Sequence, residues 1–141
     1  MAYRETHDER FLKTAQRAAD YFIGHLPPDF VPYWDFQAPN IPNEERDVSA
    51  AAVACSGLFE LSTLTQDATE KIRYRKSAMH VIVSLCAPPY LSKGSRSAGI
   101  LGHAVGSRPA NSEVDVSLIY GDYYFLEALV RYEHLVGTLQ H

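Results

Sequence analysis

The sequence predicts an all-α protein built as two helical hairpins, each with an outer and an inner member, and with two long loops. Three observations predict it. Four segments carry apolar residues at helical spacing. Those segments alternate between polar on one side and apolar or small on nearly every side. The stretches leading into the two apolar segments are rich in Pro, or in Gly and Ser, and run well beyond the roughly 12–15 residues of ordinary connections. At 141 residues the chain has material for a single domain, 1–141, with one core.

The first helix is expected from His7 to Leu26. Phe11, Ala15, Ala18, Ala19, Phe22 and Ile23 form its apolar stripe, and Arg10, Lys13, Gln16, Arg17 and Asp20 lie mostly opposite. Pro27-Pro28 ends it, because proline cannot continue the hydrogen-bonded ladder. A stiff loop follows to Arg46, holding five prolines and the only tryptophan, Trp34, beside Asp35. Trp34 is expected either to plug one end of the core or to stack on a ligand.

Asp47 reads as an N-cap. The helix it opens, Val48 to about Thr65, begins Ser-Ala-Ala-Ala-Val-Ala-Cys-Ser-Gly and carries only one charge, Glu60. Such a helix is surrounded by other helices. Asp67 or Thr69 then restarts the chain into a third helix ending near Leu85, with Lys71, Arg73, Arg75 and Lys76 on a solvated face. Pro88-Pro89 ends it, and a loop from Ala87 to Ser117 contains Lys93, Gly94, Arg96, Gly99, Gly102, His103, Gly106 and Arg108. The last helix, Tyr120 to about Val136, places Ile119, Tyr123, Leu126 and Val130 at three- and four-residue steps, as the face of a buried helix would. Asp122 and Glu127 sit in the same run. Buried carboxylates need partners, so Asp122 is either a site residue or part of a satisfied network, whereas Glu127 is expected to face solvent. Both loops lead into inner-helix N-termini, where unpaired N–H groups and the helix dipole favour an anion.

Composition narrows the function. A net charge of -4 and no basic stripe exclude nucleic acid as a partner. No apolar run reaches membrane-spanning length, so no membrane partner is expected. The N-terminus is charged where a signal peptide needs an apolar segment, and Cys55 and Cys86 read as buried thiols; both point to the cytoplasm. Gly94 to Gly99 has phosphate-loop glycine spacing, but Ile100-Leu101 stands where Lys-Ser/Thr must follow. The six histidines lack metal-ligand spacing, so no metal site is expected, and His103 alone is a functional candidate. No Gly-x-Ser-x-Gly elbow is present. Paired carboxylates are the remaining catalytic option: Asp35, Asp47, Asp115 and Asp122 all lie in or just after the long loops.

The residues resemble a known family. Thr14-Ala15 through Ala18-Ala19-Asp20-Tyr21-Phe22, Pro32-x-Trp34-Asp35-Phe36 and Pro39 match in order. Arg46-Asp47-x-Ser49-Ala50-Ala51-Ala52, Ser56-Gly57-Leu58-x-Glu60-Leu61 and Tyr120-Gly-Asp-Tyr-Tyr-Phe-Leu-Glu-Ala-Leu129 continue the match. Together they are similar to the C-terminal portion of the unsaturated glucuronyl hydrolases, glycoside hydrolase family 88, with 87–117 matching least. The resemblance implies a partial (α/α)6 barrel. It also implies hydration of the 4,5 double bond of a non-reducing-end unsaturated uronic acid in an oligosaccharide, releasing the next sugar. An aspartate would act as general acid/base, without metal or organic cofactor.

Family members are at least twice this length, and their catalytic aspartates are expected in the N-terminal half. The chain alone is therefore expected to be inactive, with Asp122, Asp115 and Asp35 as fallback acids and the missing N-terminal half of the barrel as a candidate partner. Trp34, Arg46, Ser107, Arg108, Asn111, Ser112 and Tyr120 would line the sugar pocket. Arg46, Arg96 and Arg108 suit an anionic uronate. Two other readings stand beside this one. One is a non-catalytic helical interaction module, which the lack of a shared pattern between 7–65 and 67–136 disfavours. The other is a complete small enzyme using Asp115 and Asp122.

Overall fold

A computed structural model describes residues 2–137. In chain order it contains α1 (Ala2–Thr6), α2 (Glu9–His25), α3 (Val48–Leu64), α4 (Ala68–Leu85), β1 (Ala104–Ser107), β2 (Ser112–Val116) and α5 (Ile119–Gly137).

The centre of the fold is α3, which packs along both α4 and α5, while α4 and α5 barely touch each other. Small side chains permit the close approach: Ala51, Ala52 and Cys55 are fully buried, as is Ala128 on α5. Phe59, Tyr74, Val81 and Leu85 fill the space between α3 and α4. Ser49 neighbours Gly121, Ser56 bonds Glu127 and the Phe59 ring lies 5.9 Å from that of Tyr132, so α3 and α5 run parallel. The outer–inner alternation is thus observed: α3 and α5 lie side by side as inner helices, with α4 outside α3.

Capping carboxylates set the helix starts. Asp47 accepts from the Ser49 and Ala50 N–H groups at 3.0 and 3.2 Å, and Asp67 does the same for Thr69 and Glu70 at 2.8 and 2.9 Å. The expected first helix starts two residues later, because His7 adopts φ 54° and Asp8 caps a fresh helix through the Arg10 N–H.

Four expectations need correction. The 87–117 segment is not all loop: β1 and β2 form an antiparallel hairpin pairing Val105 with Val114 and Ser107 with Ser112. Cys86 is exposed at the C-cap of α4, and only Cys55 is buried. Glu127 does not face solvent; it accepts a short hydrogen bond from the Ser56 hydroxyl and pairs with Arg131 at 3.4 Å. Finally, the Ile119, Tyr123, Leu126 and Val130 face is not buried, being 87%, 59%, 49% and 48% exposed. Gly121, Phe125 and Ala128, on roughly the opposite side, are the residues that α5 buries.

The apolar stripe of α2 is also half-covered. Leu12 is its one buried residue, and Phe11 is 46% exposed. Between α2 and α3 runs an apolar groove of about 340 Å³, lined by Ala15, Ala18, Phe22, Ala54, Gly57 and Leu61 among others.

Candidate functional site

The two long connections meet at the N-terminal ends of α3 and α5. The first is pinned to itself by the pairing of Tyr33 with Arg46, and to the start of α3 by the Asp47 N–H, which donates to Pro32 O at 2.8 Å. The second is pinned to α3 from the other side. Val48 N–H donates to His103 O at 3.1 Å, and Val105 N–H reaches the Asp47 carboxylate at 3.4 Å. Asp47 is therefore a cap and a loop anchor at once. Its carboxylate also accepts the Ser49 hydroxyl at 2.6 Å. An exogenous anion is not needed at this helix terminus, since the chain's own carboxylate fills it; the expectation of free N–H groups there is corrected.

Trp34 is half-buried and outside the main core cluster. Its indole N–H donates to Glu44 at 2.9 Å, and this bond holds the Glu44 carboxyl below its usual range. The tryptophan thus braces its own loop. Arg46 is also engaged: its guanidinium lies 3.0 Å from the Asp29 carboxylate, bonds Val31 O and sits 4.1 Å from the Tyr33 ring centroid. Tyr90 donates to the second Asp29 oxygen at 2.7 Å, so the Arg46–Asp29–Tyr90 chain crosses from one loop to the other. Burial, and then that carboxylate, push the Tyr90 phenol up to about 12.

Arg108 lies near the hairpin turn, and its Nε donates to Glu45 at 3.0 Å, tying the hairpin to the first loop. Ser107, Asn111 and Ser112 surround the same turn, where Asn111 N–H closes onto Arg108 O at 3.0 Å. Asn111, Glu113 and Asp115 all have positive φ, at 48°, 53° and 57°. Such a hairpin is irregular, and only its base is buried, at Ala104 and Val105. Tyr120 stands in the first turn of α5, 42% exposed. Arg96 is exposed.

Trp34, Arg46, Ser107, Arg108, Asn111 and Ser112 are thus gathered on two joined loops, and Tyr120 starts the inner helix that follows the second. Between the loops lies a polar depression of about 330 Å³ lined by Glu44, Glu45, Arg46, Tyr90, His103 and Asp115 among others.

The three fallback acids do not form a pair. Asp35 accepts from Gln37 N–H at 2.8 Å within its own turn. Asp115 bonds His103 Nδ1 at 2.6 Å. Asp122 accepts two backbone N–H groups, those of Ile100 and Leu101, at 2.9 Å each. Asp122 is accordingly the staple of the second loop, as the network reading expects. Asp29, Glu45 and Tyr90 escaped the sequence reading. Glu44-Glu45 directly before Arg46 was the available signal for Glu45; Asp29 and Tyr90 offer none, since their contact spans 61 residues.

Comparison with known proteins follows the same lines. No family model matches the chain. It is similar to an unsaturated glucuronyl hydrolase from Formosa agariphila, 42% identical over 139 residues, 96% of this chain and 34% of that protein. It superposes on a crystal structure of an unsaturated glucuronyl hydrolase specific for heparin with a TM-score of 0.90 and 39% identity, covering 96% of this chain and 36% of that one. It is also similar to an unsaturated glucuronyl hydrolase mutant from Streptococcus agalactiae complexed with dGlcA-GalNAc6S, with a TM-score of 0.80, 31% identity, and 93% and 35% coverage. The chain spans about a third of the length of the curated relatives it matches. The resemblance to the C-terminal portion of this family therefore holds, and the architecture is a partial (α/α)6 barrel. No helix among the described residues is long and apolar enough to cross a membrane.

Proposed function

We propose that residues 1–141 form one segment of a glycoside hydrolase barrel that acts on oligosaccharides ending in a 4,5-unsaturated uronic acid, and that this segment supplies part of the sugar-binding rim. The observation that carries the reading is the joined rim itself: two long loops meeting at the ends of two parallel inner helices, tied by Arg108–Glu45 and by Tyr90–Asp29–Arg46.

The substrate's C4=C5 bond is a vinyl ether. A proton delivered to C4 and a water oxygen added to C5 give a hemiketal, whose collapse releases the next sugar. One group must donate the proton and manage the water. Asp35, Asp115 and Asp122 are each taken up by local partners, so the acid/base comes from the remainder of the barrel, the N-terminal portion, which is the partner proposed for this chain. No metal or organic cofactor enters the scheme.

Within the rim, Arg46 and Arg108 are the cations available to the uronate carboxylate, which would compete with their present partners Asp29 and Glu45. Trp34 and Tyr120 offer flat apolar surface to a sugar ring. Ser107, Asn111 and Ser112 offer hydroxyl and amide partners. The buried free thiol of Cys55, pushed up to about 12 by burial, suits a reducing compartment, and we place the protein in the cytoplasm.

The test is ultraviolet absorbance of an unsaturated uronyl disaccharide, because hydration removes the double-bond signal. The expected result is no change with the chain alone and loss of absorbance when the N-terminal two-thirds of the Formosa relative is co-expressed with it. Turnover by the 141 residues alone would overturn the view that the acid lies elsewhere.

A further inference from the structure

We propose that the groove between α2 and α4 binds an anionic glycan strand, with Lys13 and Arg17 holding its carboxylate or sulfate groups. The groove lies toward the C-terminal end of α3, away from the two long loops, and its walls and floor all come from described residues.

The groove follows from the way α2 and α4 straddle α3. Both pack on α3, and they meet each other through polar side chains. Asp20 of α2 accepts from the Arg73 guanidinium and, at 3.0 Å, from the Tyr74 hydroxyl. Gln16 reaches down to Thr65, the C-cap of α3, at 3.2 Å. Above these bridges remains a space of about 700 Å³. That falls within the roughly 300–1,000 Å³ of sites that hold small ligands. Arg10, Lys13 and Arg17 form the α2 wall, and Glu70 and Tyr74 the α4 wall.

The charges around this space do not balance. Arg73 pairs with Glu70 at 2.5 Å and also with Asp20, so both acids are answered from within the chain. Arg10 is taken by Asp8 at 2.6 Å. Lys13 and Arg17 are exposed and, among the described residues, make no ion pair. Four cations thus meet three carboxylates here, and the excess falls on Lys13 and Arg17. A positive groove stands out in a chain whose net charge is -4. Lys13 and Arg17 are also four residues apart on one helix, about 6 Å along its axis. Like charges at that spacing repel, and a bound anion would remove the repulsion.

The lining decides which anion fits. Every lining residue is polar or charged except Tyr74, whose ring is buried. A docking protein is held chiefly by aromatic and arginine anchors in desolvated pockets, and no such pocket is offered. A glycan strand needs instead a hydrated trough with hydroxyl and amide partners beside the cations. The Thr14 hydroxyl donates to Arg10 O at 2.7 Å and keeps lone pairs for a sugar hydroxyl, as does the Gln16 amide oxygen. A strand held there would raise the local concentration of its own ends around the molecule.

The test is calorimetric titration of the full chain with a heparin hexasaccharide, with hexagalacturonate, with inorganic polyphosphate and with neutral maltohexaose. Two variants of equal charge change are compared: Lys13→Glu with Arg17→Glu, and Lys71→Glu with Lys76→Glu on α4 outside the groove lining. Circular dichroism checks that each folds. Should the first fail to fold, Lys13→Gln with Arg17→Gln takes its place, with an expected weakening of about threefold or more.

The expected result is binding of an acidic hexasaccharide but not of maltohexaose. The groove reversal should weaken that binding about tenfold or more and the α4 reversal less than about twofold. Binding of the heparin fragment alone identifies sulfate as the recognised group, and binding of hexagalacturonate alone identifies carboxylate. Equal weakening by both reversals overturns the site, since bulk charge would then explain it. So do a groove reversal without effect, neither acidic hexasaccharide binding, or polyphosphate binding as tightly as the glycans with the same dependence on Lys13 and Arg17. The disaccharide absorbance assay is separate: its failure removes the functional reading and leaves the groove, and an empty groove leaves the functional reading.

Discussion

Gly121 of α5 and Ser49 of α3 approach so closely that a Cβ on the glycine would stand 3.1 Å from the serine Cβ and 3.4 Å from its Cα. Both neighbours belong to rigid helix starts, so neither can rotate away. The contact brings the two inner helices together at the end where both long loops arrive.

Gly121→Ala therefore pushes α3 and α5 apart by a few tenths of an ångström. Overpacking of this kind costs about 1–3 kcal/mol, offset slightly by the better helix propensity of alanine. Thermal or urea unfolding would show a lower midpoint. An unchanged or raised midpoint would mean that the helix pair is looser than the contact implies.

Asp122→Asn tests the loop staple. Asparagine keeps one carbonyl acceptor but turns an NH2 group toward a backbone N–H, leaving Ile100 or Leu101 without its partner. The expected loss is about 1–3 kcal/mol, with faster hydrogen exchange at Ile100 and Leu101. Exchange rates that do not move would remove the staple role.

Tyr90 gives a pH dependence with a definite sign. Its folded pKa is raised from an ordinary value of 10.0 to about 12, first by burial and then by the hydrogen bond to Asp29. The neutral phenol is thus favoured by folding. That stabilisation is whole below pH 10.0 and disappears as the pH climbs through about 12. Between those limits the unmodified chain should lose denaturation midpoint faster than Tyr90→Phe. Parallel curves would count against the Tyr90–Asp29 coupling.

Glu45→Gln probes the hydrogen bond that ties the hairpin turn to the first loop, the 3.0 Å contact with Arg108. Two moderately exposed partners contribute on the order of 0–1 kcal/mol, so global stability should hardly change. Hydrogen exchange within Ser107–Ser112 should quicken, because an isolated two-stranded hairpin has little stability of its own. Unaltered exchange would show that the hairpin base, not Arg108, fixes its position.

Helix starts were legible in the residues where a local signal marks them. Asp47 and Asp67 cap α3 and α4 within their own first turns, and both helices begin where their sequence places them. The β-hairpin was not legible, although Val114 and Val116 alternate with Glu113 and Asp115 as a strand should. Surrounding Gly and Ser masked a signal only four residues long. The apolar period of α5 was correct, but period alone does not say which neighbour covers a face. Ile119 and Leu126 have the spacing of buried residues but are 87% and 49% exposed, because α3 packs on the opposite side of α5. At the rim, the chemistry of Arg46 and Arg108 was visible but their partners Asp29 and Glu45 were not, since those pairings depend on tertiary folding across 17 and 63 residues.

The unequal attachment of α2 and α3 has a kinetic consequence. Leu12 is the one buried residue of α2, with Ala19 and Ile23 only partly covered, whereas α3 is enclosed along most of its length. The first helix should accordingly peel away in partial openings, while the loop from Asp29 to Asp47, anchored by Val31 and by the Asp29–Tyr90 bond, stays closed on α3, α4 and α5. A protease that cuts just after α2, at Leu26–Pro28, would release the first helix and leave the three-helix remainder with its first loop as the resistant kernel.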